Sequence, residues 1–148
     1  NKVINCINGD IFDSGADVIL HQVNCRGVMG SGIAKQVRDK FPFVYWMYKM
    51  ACEMSDENLL GVAQVVPVCV NQYIINLFAQ DGYGRDGRRY TDYEALRKSL
   101  RFVCMKFSNK KIAIPYFMGC GLGGGDWNVV LKIIEEELGE CDVTIYRI

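Results

Sequence analysis

The sequence is poor in the residues that metal sites and nucleic-acid grips require. It holds a single histidine, His21, and seven cysteines. None of Cys6, Cys25, Cys52, Cys69, Cys104, Cys120 and Cys141 forms a C-x-x-C pair, so no zinc spacing exists, and neither a metal nor any other cofactor is expected. An excess of one charge is also missing, because 17 Lys and Arg balance 17 Asp and Glu. A protein that holds nucleic acid mainly by neutralising phosphates carries a basic excess, so direct sequence-specific nucleic-acid binding is not expected. The two basic clusters, residues 85–89 and 106–111, read as solvated loop or helix ends. No apolar run approaches the roughly 20 residues that cross a bilayer, and no secretory signal opens the chain. Cys6, Cys69, Cys104 and Cys141 fall in apolar segments, as small buried hydrophobes of a reduced, cytoplasmic protein do. The missing initiator methionine is read as a trimmed start. Only three prolines occur, without repeats, linkers or low-complexity tracts. The 148 residues, half of them hydrophobic, therefore make one domain over 1–148, with a monomer as the default.

What the chain does hold is organised around residues 17–42. Val18, Ile19, Leu20 and Val23 read as a buried strand. A turn with Gly27, Gly30 and Gly32 follows, and then a helix whose apolar positions are Ile33, Ala34, Val37 and Phe41. Pro42 ends that helix, since proline disfavours helix in the residue before it. Unpaired N–H groups at a helix start, on residues with little side chain, suit a phosphate or diphosphate; the alternative is a tight turn without a ligand. His21 and Asn24 stand at the strand end, where open α/β sheets place their ligands.

The other elements follow from periodicity. Residues 2–7 alternate as a first strand and end in the turn Asn8-Gly9-Asp10. Val44, Met47, Tyr48, Ala51 and Cys52 form the core stripe of a second helix. Residues 59–70 and 73–79 read as a hairpin around Asn71 and Gln72. Residues 80–90 are polar, carry three glycines, and form a mobile loop at the working edge or a surface excursion. Thr91 and Glu94 have capping-box spacing before a helix with Leu96, Leu100, Val103 and Phe107. Residues 111–115 make a short strand ending at Pro115, and a second glycine loop runs from Met118 to Gly125. Asp126 either caps the last helix or performs acid/base chemistry beside that loop. Residues 142–148 close the chain as a strand. This order predicts a three-layer α/β/α domain with a mixed, largely parallel central sheet, both glycine loops lying on one rim. A dinucleotide oxidoreductase is disfavoured, because the first loop lacks G-x-G-x-x-G spacing.

Three segments carry a family resemblance: Asn8-Gly9-Asp10-Ile11; His21 to Cys25 with Gly30-Ser31-Gly32-Ile33-Ala34; and Pro115 with Gly119-Cys120-Gly121-Leu122. In order and over nearly the whole chain they resemble the macrodomain, the ADP-ribose-binding fold. The likeness is greatest to the branch with terminal ADP-ribose protein glycohydrolase and the yeast ADP-ribose 1''-phosphate phosphatase. It implies that Asp10 accepts from the adenine amino group and that the Ile11 N–H donates to the ring. Gly30, Ser31, Gly32 and Ile33, with Pro115, Gly119, Cys120, Gly121 and Leu122, would cradle the diphosphate and proximal ribose. Asn24 would meet the distal ribose, and Tyr146 or Ile148 would cover the adenine.

The resemblance breaks at the glycohydrolase chemistry. That branch places a lysine after the strand at residues 73–79 and an aspartate directly after GCGL; here stand Ala79 with Gln80, and Gly123. Neither alanine nor glutamine has an amine with which to attack an opened ribose. His21 matches a functional histidine of the phosphatase, the alternative being a buried, hydrogen-bonded strand-end residue. The expectation is therefore hydrolysis of a group on the distal ribose, a 1''-phosphate or an ester on protein or another acceptor, with His21 and Asp126 catalytic. The rival is a silent reader of ADP-ribosylated partners.

Overall fold

The computed structural model describes residues 4–148. Lys2 and Val3 of the expected first strand lie outside the described residues. The strand itself, β1, spans Asn5–Asn8, and a single 3₁₀ turn, Ile11–Asp13, follows it. β2 is Val18–Asn24, and α1 (Gly32–Lys40) and α2 (Pro42–Met54) meet at the expected proline. β3 (Ala63–Cys69) and β4 (Gln72–Gln80) form the hairpin, with Asn71 at φ +56° in its turn. α3 (Tyr93–Phe107), β5 (Lys111–Pro115), α4 (Trp127–Leu138) and β6 (Asp142–Arg147) complete the chain.

The six strands lie in the order β1-β6-β5-β2-β4-β3, and every pairing is parallel except β3 with β4. Side chains alternate across a strand, so β2 feeds two cores. Val18 and Leu20 join Leu96, Leu100, Ile133 and Ile134 of α3 and α4, whereas Ile19 and Val23 pack towards Val37, Val44 and Tyr48 of α1 and α2. The sheet is thus covered on both faces, the three-layer α/β/α arrangement expected.

Two local expectations are corrected. Thr91 does not open a capping box: Asp92 is the N-cap of α3, accepting from the Ala95 N–H at 3.0 Å, and the Thr91 hydroxyl is engaged elsewhere. Cys6 and Cys69 are exposed rather than buried, because they lie on the edge strands β1 and β3, each of which has a neighbour on one side only. Among the described residues no helix is long and apolar enough to cross a membrane.

Candidate functional site: a two-chambered cleft at the strand ends

All strands but β3 run the same way, so the loops after β2 and β5 emerge at one rim. Between them lies a cavity of about 420 Å³ bordered by His21, Asn24, Gly30, Ser31, Gly32 and Ile33 from the first segment. Pro115, Gly119, Gly121, Leu122 and Gly123 border it from the second. A further chamber of about 570 Å³ is lined by Ile11, Gln36, Tyr116, Tyr146, Arg147 and Ile148. Ile33, Pro115 and Phe117 line both, so the chambers are halves of one cleft. Each half lies in the usual size range of small-molecule sites, roughly 300–1,000 Å³. An outer recess, shared through Ser31, Gly32 and Arg85, continues to Arg88.

Helix-start and glycine-loop residues form part of the cleft border. Ser31 is the N-cap of α1, yet its side chain makes no capping bond, and Gly32, Ile33 and Ala34 of the first turn border the cavity. The first N–H groups of a helix have no partner inside it, and the helix dipole adds positive potential there. In the second loop Cys120 N–H donates to Phe117 O and Gly125 N–H to Gly119 O. The N–H groups of Gly119, Gly121, Leu122 and Gly123 meet no acceptor among the described residues. Two sets of unpaired donors thus border one cavity, a good match for a diphosphate.

Sequence-named residues divide by what their side chains already do. Asp10 borders neither chamber; it caps the 3₁₀ turn, accepting from the Phe12 N–H at 2.9 Å, and leaves the Ile11 N–H without a partner among the described residues. Cys120 is buried behind its loop, and burial, with the Asp126 charge adding, pushes its thiol up to about 11, so it is no thiolate nucleophile. Asp126 caps α4, accepting from the Asn128 N–H at 2.9 Å, and lines neither chamber. Asn24 borders the cavity, but its amide is used inside the loop: Oδ1 accepts from the Arg26 N–H at 2.8 Å and Nδ2 donates to Val28 O at 2.9 Å.

His21 is 1% exposed. Its Nε2 lies 2.5 Å from Asn76 Oδ1, and Nδ1 has no partner among the described residues. Burial lowers its pKa to about 4, the Asn76 bond opposing in part, so the ring is neutral at physiological pH.

Several determinants escaped the sequence reading. The fully buried Tyr48 of α2, assigned only to packing, shapes the first loop through its phenol oxygen. That oxygen accepts from the Gly27 and Val28 N–H groups at 3.1 Å and donates to Asn24. Phe117, 47% exposed and held at φ +66°, stands between the two chambers. Nothing in a helical period marks a hydroxyl as a loop anchor, and nothing local marks Phe117 as a partition.

A neutral network occupies the place of the missing glycohydrolase residues. Gln22 Nε2 donates to Gln80 Oε1 at 3.0 Å and to Thr91 Oγ1 at 2.8 Å, Gln80 Nε2 donates to Gly82 O, and Thr91 Oγ1 donates to Gly119 O at 2.7 Å. A Cβ on Gly123 would stand 2.5 Å from Thr91 Oγ1 and 2.6 Å from Gly119 O, so no aspartate fits there without moving the network. Residues 80–90, which border the cavity through Gln80, Tyr83 and Arg85, are tied down at their far end, where the Tyr90 and Thr91 N–H groups donate to Gly123 O.

A family model for the Macro domain matches residues 20–134. The DNA ADP-ribosyl glycohydrolase of Mycobacterium tuberculosis is 27% identical over 144 residues, covering 94% of this chain and 40% of its own. The chain thus spans about two fifths of that relative's length. The ADP-ribose 1''-phosphate phosphatase of Saccharomyces cerevisiae is 24% identical over 176 aligned positions, covering 98% of each. A Bacteroides thetaiotaomicron protein described as of unknown function superposes with a TM-score of 0.87 at 32% identity, over 99% of this chain and 98% of that one.

Proposed function

The chain belongs to the Macro domain family, and on that footing we propose that it binds ADP-ribose and hydrolyses a group on the distal ribose, acting as a cytoplasmic monomer. The observation that carries this is the pair of unpaired N–H sets, one at residues 31–34 and one at Gly119, Gly121, Leu122 and Gly123, bordering one cavity that continues into a second. In this reading adenine occupies the chamber of Ile11, Phe117, Tyr146 and Ile148, with the Ile11 N–H donating to the ring and Asp10, next to Ile11 and outside the chamber lining, accepting from the amino group at the chamber's edge. The diphosphate lies across Gly30 to Ile33 and Gly119 to Leu122. The distal ribose then reaches Asn24 and His21, and its substituent points towards Tyr83 and Arg85.

The relatives include one named DNA ADP-ribosyl glycohydrolase and one named ADP-ribose 1''-phosphate phosphatase. For either bond the step is the same in outline. A water oxygen replaces the leaving group at the distal carbon or at phosphorus, that bond breaks, and a water proton ends on the departing atom, the sugar or ester oxygen or the nitrogen of a base. Backbone N–H groups stabilise the charge that develops. An amine nucleophile has no part in this, because Ala79 and Gln80 stand where the lysine would, neither has an amine, and the Gln80 amide is engaged at both ends.

A specific observation favours a second reading, recognition without turnover. Of the two candidate catalytic side chains, Asp126 is committed to capping α4 and His21 is buried and neutral. Product release from ADP-ribose 1''-phosphate and from ester-linked and base-linked ADP-ribose conjugates, by the intact protein and by His21→Ala, separates the two. Turnover that His21→Ala abolishes while ADP-ribose still binds supports the hydrolase. Binding without release of any product supports the reader.

A further inference from the structure

His21, Asn76 and Gln64 form a row across three neighbouring strands, for His21 pairs in register with Asn76 and Asn76 with Gln64. The row is polar on a face otherwise built of Ile19, Val23, Val66 and Ile74. Its outer end is fixed by main chain: Gln64 Nε2 donates to Met47 O of α2 at 3.1 Å. A carbonyl oxygen only accepts, so the group Gln64 turns to it is its NH₂. Gln64 Oε1 therefore faces Asn76, which answers with Nδ2 at 3.0 Å. Asn76 in turn presents Oδ1 to His21, and an amide oxygen also only accepts. The proton of the imidazole must then sit on Nε2, and the lone pair on Nδ1.

We propose that Gln64 and Asn76 are positioning residues that hold His21 in the Nε2–H tautomer, so that Nδ1 is a hydrogen-bond acceptor for a hydroxyl of the sugar bound in the cleft. The polarity of the row originates at the Met47 carbonyl and passes through two side-chain amides to a residue that borders the cavity. Nδ1 is the one side-chain nitrogen of the described residues that is buried without a partner. A sugar hydroxyl or a water has the hydrogen this atom lacks. A phosphate oxygen does not, and its lone pairs would oppose that of Nδ1. The row thus assigns the region beside His21 to a hydroxyl-bearing part of the ligand, and phosphate to the backbone donors of the two loops. It also restricts His21 to accepting, because its one proton is engaged by Asn76. This assignment of a sugar hydroxyl rests on the ADP-ribose reading, but the tautomer does not.

Because His21 is the sole histidine, labelling the full chain with ¹⁵N-histidine yields one imidazole pair. A long-range proton–nitrogen correlation spectrum of the ligand-free protein is expected to show the proton on Nε2. Gln64→Leu releases the Asn76 amide to turn, and the spectrum is expected to show a mixture of tautomers. Adding Asn76→Asp to Gln64→Leu leaves only acceptor oxygens facing Nε2 and is expected to return the proton to Nε2. ADP-ribose is expected to shift the Nδ1 resonance, and ADP, which lacks the distal sugar, to leave it in place. A proton on Nδ1 in the free protein, or a tautomer indifferent to Gln64→Leu, overturns the row. A shift with ADP equal to that with ADP-ribose overturns the hydroxyl assignment. Absence of any ADP-ribose binding, with Nε2–H intact and responsive to Gln64→Leu, overturns the ADP-ribose reading and its hydroxyl while the tautomer assignment stands.

Discussion

At the scale of single residues, the site separates side chains that face a ligand from side chains that build the surface presented to it. His21 illustrates the energetic side. Its pKa, about 4 in the folded protein against 6.5 in the unfolded chain, is depressed by burial. The contribution is complete above pH 6.5, where the ring is neutral in both states. It is lost as pH falls from 6.5 towards 4, where the unfolded chain takes up a proton that the folded protein refuses. The span corresponds to roughly 3 kcal/mol at most. Chemical denaturation at pH 7, 5.5 and 4.5 should therefore find wild type losing stability more steeply than His21→Gln; parallel losses would show that His21 is not desolvated. Gly123 makes the second case. A side chain there collides with Thr91 Oγ1 and Gly119 O, so Gly123→Asp is expected to cost about 1–3 kcal/mol, as overpacking does, and not to confer glycohydrolase activity. A variant as stable as wild type would contradict the packing.

At the scale of elements, the strand-loop-helix junctions determine what the cleft can hold. α1 begins where its first-turn N–H groups border the cavity, and the approach to it is shaped from behind by α2 through Tyr48. Tyr48→Phe removes an oxygen that accepts two N–H groups and donates to Asn24, leaving buried polar groups unpaired. The expected loss is about 1–3 kcal/mol, with weaker ADP-ribose binding; thermal unfolding and calorimetry read both. Unchanged stability and affinity would mean that the loop keeps its shape without this anchor. The junctions were legible in the sequence because glycines, Pro42 and Pro115 punctuate strong periodicity, and the strands and helices follow that punctuation. The cap of α3 was not, since Thr91 and Asp92 are both good caps by type and only the demand of Gly119 O on the Thr91 hydroxyl decides between them. Cys6 and Cys69 were misread because a period reports which face a residue shares, not whether its strand lies at an edge. Tyr48, Gln64, Asn76 and the Gln22–Gln80–Thr91 network depend on contacts between residues distant in sequence, which no local pattern encodes.

At the scale of the whole molecule, the sheet is covered on both faces, and the rim where β2 and β5 end holds a bipartite cleft divided at Phe117. Donors for phosphate border one half, and apolar and aromatic side chains the other. Phe117→Ala should weaken ADP-ribose and ADP alike, by about 1–2 kcal/mol if the exposed ring stacks on the base, whereas Gln64→Leu should affect ADP-ribose alone. Equal effects of both variants on both ligands would contradict the assignment of one chamber to the base and the other to the distal sugar.

The measurement that bears most directly on the account is a calorimetric titration of the intact protein with ADP-ribose, repeated for Asp10→Ala. Saturable binding of one ADP-ribose is expected, with a loss of about tenfold or more in Asp10→Ala, which remains folded because the capping bond it forfeits is worth only about 1 kcal/mol. No heat of binding from a folded protein, or an affinity unchanged in Asp10→Ala, would contradict the adenine site and the ligand orientation on which the rest depends.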